Sequence, residues 1–383
     1  MTGAPALEPA QRLAASLQPG TTHVVLQEQA SLSWLLGARS NVPRTLDAAC
    51  FDAVVVLGGD GEADAVEVVT NAVEAPRLQD VELVAARARL AAAGVALRWT
   101  VVPWWQGRGE VLPSGPGVLA DRPGPGRTAL GEDFRRLRRM LDTRQQAVLA
   151  SVCADAQRVT GQVVRGLGPD LSEHEAAGRV MGALEGAGLD PVALFVAGAD
   201  RMLAHRHPLP THGRLGRRCL VACCARRDGA VASVTRIVSF EPVDEAGRRR
   251  YAALLEVERA FLDASTPGAR LGTAFAVGAE AYSRHGFAAR EWHRHHQGGP
   301  SGWAPRELLA HPGSEETIGV GSVLAWNPSG DGWKVEDTWL VDDDGLRALA
   351  TDPAWPHVDV GGRARPSVLE LAARPHPHRG ADA

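Results

Sequence analysis

The chain has 383 residues, 45% hydrophobic and 22% charged, with 41 Lys plus Arg against 45 Asp plus Glu for a formal net charge of −4. That is a globular composition with enough chain for two or three domains, and its acidic balance argues against nucleic acid as a partner. No apolar run approaches the roughly 18 residues of a membrane span, the N-terminus lacks the charged start and apolar stretch of a signal peptide, and five cysteines without CxxC spacing fit reduced thiols; a cytoplasmic protein is expected. One count stands out: Lys334 is the only lysine, and arginine supplies every other basic side chain of that total.

The first part alternates strands and helices. HVVLQEQ (23–29) and FDAVVVLG (51–58) predict strands, VELVAARARLAAAG (81–94) an amphipathic helix, and VALRWTVVPWW (95–105) a further strand. The Gly/Pro-rich SGPGVLADRPGPGR (114–127) reads as a domain boundary, giving an α/β domain over 1–127 and a second domain over 128–383. A long helical pattern over 134–167 follows. Ser172, with Glu175 three residues on, has capping-box spacing and opens a helix running to about Gly188. PVALFVAGA (191–199) predicts a strand, and 218–240 a hairpin turning at Arg226-Arg227-Asp228-Gly229. Helices are expected over 248–265 and 272–286, and strand and loop in the last third. The second domain is therefore α+β, with helices first and a mainly antiparallel sheet after.

Polar residues concentrate in four places: His205-Arg206-His207, the hairpin, Trp292-His293-Arg294-His295-His296-Gln297-Gly298-Gly299, and Asn327-Pro328-Ser329-Gly330 followed by Lys334-Val335-Glu336. Histidine is the natural acid/base and metal ligand near neutral pH, and the two glycines beside His295 and His296 would let backbone approach a ligand closely.

Taken in order, Gly168-Pro169-Asp170-Leu171-Ser172-Glu173-His174-Glu175, Phe195-Val196-Ala197-Gly198, Val234-Thr235-Arg236 and Val335-Glu336-Asp337-Thr338 with Leu340-Val341 and Gly345 resemble the M24 metallopeptidases, the pita-bread family of methionine aminopeptidase, aminopeptidase P, prolidase and creatinase. The likeness spans about residues 134–350, and Leu32-Ser33-Trp34-Leu35-Leu36-Gly37 is similar to the N-terminal domain of its creatinase and prolidase branch. The resemblance implies an α/β N-terminal domain followed by an α+β pita-bread, creatinase/aminopeptidase-like C-terminal domain, a homodimer, and a small-molecule or short-peptide substrate. In such a dimer Arg39, Arg44 and the Trp104-Trp105 pair are candidates to reach a substrate.

The resemblance also implies two divalent metals on Asp, Asp, His, Glu and Glu. Carried over by position, these fall on Ala222, Ser233, His296 (His295 if the loop shifts by one), Asn327 and Glu336. Such a set lacks the carboxylates that offset two divalent ions, so no cofactor is expected. Creatinase, a metal-free C–N hydrolase with a histidine acid/base, supplies the pattern for an activity.

On that pattern His205 or His296 takes a proton and Glu336 holds the imidazolium. Asn327 donates to a carbonyl or carboxylate. Lys334, on the strand face of Glu336, pairs with it or anchors a substrate carboxylate. His207, His293 and His295 complete the substrate-binding candidates. Two alternatives stand beside this: a single divalent metal on His205, His296 and Glu336, in a mononuclear Xaa-Pro aminopeptidase-like hydrolase, and a non-catalytic pita-bread binding module. Cys224, on the strand face of Ala222, is a further candidate as a nucleophile.

Overall fold

The computed structural model describes residues 7–41 and 49–371; Arg44 lies outside them. The first part forms a mixed six-stranded sheet of β1 (His23–Leu26), β2 (Phe51–Leu57), β3 (Ala63–Asn71), β4 (Ala96–Val102), β5 (Val118–Ala120) and β6 (Thr128–Ala129), ordered β4-β3-β2-β1-β5-β6. β1, β2 and β3 run antiparallel, whereas β4 joins β3, and β5 joins β1, in parallel. The strand expected over 23–29 ends at Leu26, because Gln29 begins a helix to Leu36 that Gly37 stops at φ +58°. β3 escapes a hydrophobicity reading because Asp64 and Glu67 interrupt its apolar residues. Trp104 and Trp105 follow β4 on the surface, 67% and 72% exposed.

The helix expected over 134–167 is two helices, Gly131–Arg139 and Thr143–Arg165. Asp142 breaks it. Its carboxylate accepts from the Gln145 N–H while the Gln145 side chain accepts from the Asp142 N–H, a capping box that starts a new helix. Ser172 and Glu175 form the expected box at the head of the helix Glu173–Gly186.

β7 (Asp190–Gly198), β8 (Arg218–Arg227) and β9 (Ala230–Ser239) make an antiparallel meander, extended by Leu369–Glu370 parallel to β9. The β8–β9 turn is Asp228-Gly229, with φ of 51° and 84°, the two left-handed residues a tight hairpin requires. A second antiparallel sheet contains β10 (Gly298–Pro300) and β11 (Val323–Trp326); after the short hairpin of β12 (Ser329–Gly330) and β13 (Trp333–Lys334), it continues with β14 (Trp339–Asp342) and β15 (Gly345–Ala348). Helices Glu245–Ala264 and Leu271–Arg284 pack together where Gly278 faces the Phe261 ring; a Cβ on Gly278 would sit 2.2 Å from that ring. Phe261 in turn stacks on Trp326 of β11 at 4.7 Å, which fixes the second sheet against the helices.

Gly298 and Gly299 have φ of +103° and +142°, and a Cβ on Gly298 would lie 2.0 Å from the Ala325 carbonyl oxygen. The pair therefore admits close approach of two protein backbones, where a ligand was expected.

Candidate functional site

Three strands, paired in register, present one face. Phe195, Ala222 and Thr235 lie side by side, as do Ala193, Cys224 and Ser233. Opposite them the chain after β13 folds back onto β9: the Thr235 N–H donates to the Glu336 carbonyl at 2.9 Å, and the Ser233 N–H to the Thr338 hydroxyl at 2.8 Å. The loop before β10 brings His295 and His296, and Pro305-Arg306 closes a third side. Together they line a cavity of ~170 Å³, open to solvent on one side, with Phe195, His207, Ala222, Cys224, His296, Arg306, Asn327, Lys334 and Glu336 among its residues.

Glu336 is the cavity's carboxylate, 3% exposed. Its Oε1 accepts from Arg306 Nη2 at 2.5 Å, while its Oε2 lies 3.0 Å from Lys334 Nζ and accepts from the Thr235 hydroxyl at 3.2 Å. Burial alone would raise its pKa, but the charges and hydrogen bonds of Lys334 and Arg306 hold it down to about 2. Arg306 also donates from Nη1 to the Ser233 hydroxyl at 3.2 Å, so one guanidinium spans Ser233 and Glu336.

His207 and His296 line the other side, with the His295 ring packed against both. His207 Nε2 and His295 Nε2 are 3.1 Å apart, and His295 Nδ1 lies 3.0 Å from the Ser329 hydroxyl. His207 stacks face to face on Phe195 at 4.6 Å. Burial, with the nearby Lys334 charge, lowers the pKa of His207 and lowers that of His295 much further; burial and Arg306 bring His296 down to about 4. All three are neutral at pH 7. One ligand nitrogen from each lies within 4.8 Å of the others, the one such three-residue group among the described residues.

Several expectations need correction. His205 is not in the cavity. It sits exposed at the end of the helix Ala199–Ala204, where the chain turns extended. The buried pair of Arg206 with Glu291 pins this turn to the histidine loop and leaves His207 as the residue that reaches the site. His293 is also exposed, on the short turn Glu291–Arg294 with its ring against Trp292. Among the described residues no hydrogen bond joins a cavity histidine to a carboxylate, because Glu336 is taken up by its two cations and Thr235. With His205 outside and Glu336 engaged, the set His205, His296 and Glu336 does not converge. Asn327, expected to donate its amide to a substrate, lines the cavity; its Oδ1 is buried without a partner, as is His296 Nδ1. Cys224 lies 3.5 Å from the Ser233 hydroxyl, and burial raises its pKa, so it is a thiol and not a thiolate. Arg306 was not anticipated. One arginine among so many carries no signal in the sequence; Ser329 could have been found from its place in the Asn-Pro-Ser-Gly turn.

The sequence profile of metallopeptidase family M24 matches residues 148–343, just over half of the chain and the whole of the segment that builds this cavity. The chain belongs to metallopeptidase family M24. No curated protein matches the full sequence. Among solved structures, dipeptidase PepE from Mycobacterium ulcerans is similar at 19% identity and a TM-score of 0.69, over 94% of this chain and 97% of that one. A prolidase from Thermococcus sibiricus is similar at 15% identity and a TM-score of 0.70, over 96% and 100%. The N-terminal domain of the FACT subunit SPT16 from chickpea is similar at 12% identity and 0.60, over 86% and 90%. The expected architecture, an α/β N-terminal domain before an α+β pita-bread domain, is thus the M24 fold. Among the described residues no helix is long and apolar enough to cross a membrane.

Proposed function

We propose that this M24 protein hydrolyses a C–N bond in a small amide or peptide-like substrate and does so without the family's dinuclear metal centre. The observation that carries this reading is the arrangement of Arg306, Glu336 and Lys334. Of the positions that resemblance assigns to metal ligands, Ala222 offers no donor, Ser233 and Asn327 are neutral, and Glu336 already holds two cations. Two divalent ions there would face a guanidinium and an ammonium with a single carboxylate between them, and the residues present do not fit such a pair.

The histidines supply acid/base chemistry. With the His207 Nε2–H donating to His295 Nε2, the His295 Nδ1–H donates to Ser329, and the His207 Nδ1 lone pair is free. His207 then acts as the base, positioned by His295 and Ser329 as a general base is positioned by a third group. It takes a proton from water as the water oxygen bonds to the substrate carbonyl carbon. The charge arriving on the carbonyl oxygen faces the Lys334 ammonium. The C–N bond breaks, its electron pair stays on nitrogen, and His207 returns the proton there; the products are a carboxylate and an ammonium. Dipeptidases and prolidases of the same fold, PepE and the Thermococcus sibiricus prolidase among them, are consistent with C–N cleavage in such a pocket.

Incubation of the purified chain with a library of dipeptides and N-acyl amino acids, read by mass spectrometry, tests the proposal. Product should form in EDTA and vanish in His207→Gln. Product that needs added metal would sink it.

A second reading has one specific observation in its favour: the nitrogens of His207, His295 and His296 are close enough to share a single divalent ion. Lys334 and Arg306 oppose it by charge. Metal content near one equivalent, lost on His207→Ala, would establish it over the first.

A further inference from the structure

A second cavity shares no lining residue with the one around Glu336. Its volume is ~210 Å³, and it is open to solvent on one side. It lies where the end of the helix Gly131–Arg139 meets strands β10 and β11, on which Pro300 and Leu324 are register partners. Met140, Leu271, Pro300, Ile318 and Leu324 give it apolar walls. A concave apolar surface carrying a few polar groups is the usual form of a small-molecule site. The charged groups here are Glu316, Arg136 and Arg139.

Glu316 is the unusual member. Each nearby cation is turned to another carboxylate: Arg136 to Asp133 at 3.5 Å, Arg139 to Glu132, and Arg270 to Glu315 at 3.2 Å. Among the described residues the Glu316 carboxylate makes no ion pair and no hydrogen bond; its Oε2 is buried, and its Oε1 is the oxygen left to a ligand. A half-buried carboxylate beside apolar walls is costly until a donor reaches it. Arg139 is 8% exposed and gives Nη2 to Glu132, so among the described residues its other guanidinium nitrogens are uncommitted.

We infer that this cavity binds a free apolar α-amino acid of about leucine size: its ammonium meets Glu316, its carboxylate meets Arg139, and its side chain lies against Met140, Leu271, Ile318 and Leu324. The charges set the class. Glu316 and the two arginines share one cavity without pairing to each other, and a zwitterion brings the partner of each in a single molecule of no net charge. A simple amine would satisfy Glu316 but bring a like charge to the arginines, and a simple carboxylate would do the reverse. The walls set the size. A volume of ~210 Å³ is the liquid volume of about seven waters, the space of a leucine-sized molecule. Met140 is the adaptable wall, and a Cβ on Gly319 would stand 3.1 Å from its Sδ, so glycine there leaves the thioether room to move. Binding here uses neither His207 nor Glu336, and the inference is independent of the hydrolase reading.

Calorimetric titration of the full chain with L-leucine and three analogues tests the inference. Leucine should bind about tenfold or more tightly than leucinamide, which lacks the carboxylate, than N-acetylleucine, which lacks the ammonium, and than alanine, which lacks the side chain. In Glu316→Gln the preference over N-acetylleucine should disappear, and in Arg139→Gln the preference over leucinamide. Lys334→Met, in the other cavity, should leave leucine affinity within about twofold. The wild-type comparison needs no variant, so a misfolded variant does not blunt it. No binding of leucine, or equal affinity for leucine and either charge-deleted analogue, overturns the inference. So does leucine binding that is lost in Lys334→Met and kept in Glu316→Gln, since the ligand then sits beside Glu336. Leucine binding with the expected preferences in a chain that hydrolyses nothing in the library leaves the inference standing and removes the hydrolase reading; hydrolysis without leucine binding does the opposite.

Discussion

Glu336→Gln is the sharpest perturbation of the site, because it keeps the shape and removes the charge between two buried cations. The fall of the Glu336 pKa from 4.5 to about 2 corresponds, at 1.36 kcal/mol per pH unit, to about 3 kcal/mol in favour of the ionised form in the folded chain. Removing one partner of a buried ion pair costs about 3–5 kcal/mol, since the charge left behind is uncompensated. Here two charges are left, so urea unfolding should report a loss of about 3 kcal/mol or more. Lys334→Met in the Glu336→Gln background removes one of the stranded cations and should restore at least about 1 kcal/mol. The pH dependence has a fixed sign. A carboxylate whose folded pKa lies below its unfolded value stabilises fully above pH 4.5 and loses that contribution as pH falls through about 2. Wild type should therefore weaken in that acid window more than the double variant does. If Glu336→Gln unfolds within about 0.5 kcal/mol of wild type, or Lys334→Met deepens its loss, the two-cation account is wrong.

Other outcomes follow from the same geometry. His207→Gln should lower kcat/KM by about 10²- to 10⁴-fold with unfolding unchanged, and Ser329→Ala by less, as measured on the best substrate from the library. Since burial and Lys334 keep the His207 pKa below its ordinary 6.5, the acid limb of the rate profile should lie below that pH, with a level rate from 7 to 8. Arg138→Ala strands Glu307, whose side chain is 1% exposed and 2.5 Å from that arginine; it should cost about 3 kcal/mol in urea unfolding. Gly298→Ala forces a Cβ against the Ala325 carbonyl and should prevent soluble expression, whereas Gly182→Ala, on a helix with open space around it, should not.

Much of the fold was legible because its signals are local. The Ser172–Glu175 box, the Asp228-Gly229 turn and the apolar strands each carry their own chemistry, and each forms as expected. The split at Asp142 was equally local, but its capping box sat inside an unbroken helical period that masked it. Site geometry was legible only as far as neighbours in sequence become neighbours in space. Lys334 and Glu336, two residues apart, meet at 3.0 Å. Arg306 meets Glu336 from thirty positions away across a loop, and no periodicity marks it. His205 and His207 are chemically alike and two residues apart; a helix end and the Arg206–Glu291 pair decide which enters the cavity.

The electrostatics of the site make the lone lysine intelligible. A pair of divalent ions on four carboxylates and a histidine is close to neutral as a unit. Losing three of those carboxylates without losing the cations would leave a buried excess of several charges, which the interior does not tolerate. Replacing the ions by two monovalent side chains around Glu336 reduces the excess to one. The two replacements are not interchangeable. The Arg306 fork must reach both Ser233 and Glu336 in a plane, which suits a guanidinium. Lys334 projects from a two-residue strand into the cavity that His207, His296 and Arg306 also line, with its ammonium beside the Glu336 carboxylate. In a chain that uses arginine everywhere else, the one lysine stands beside the carboxylate of the cavity.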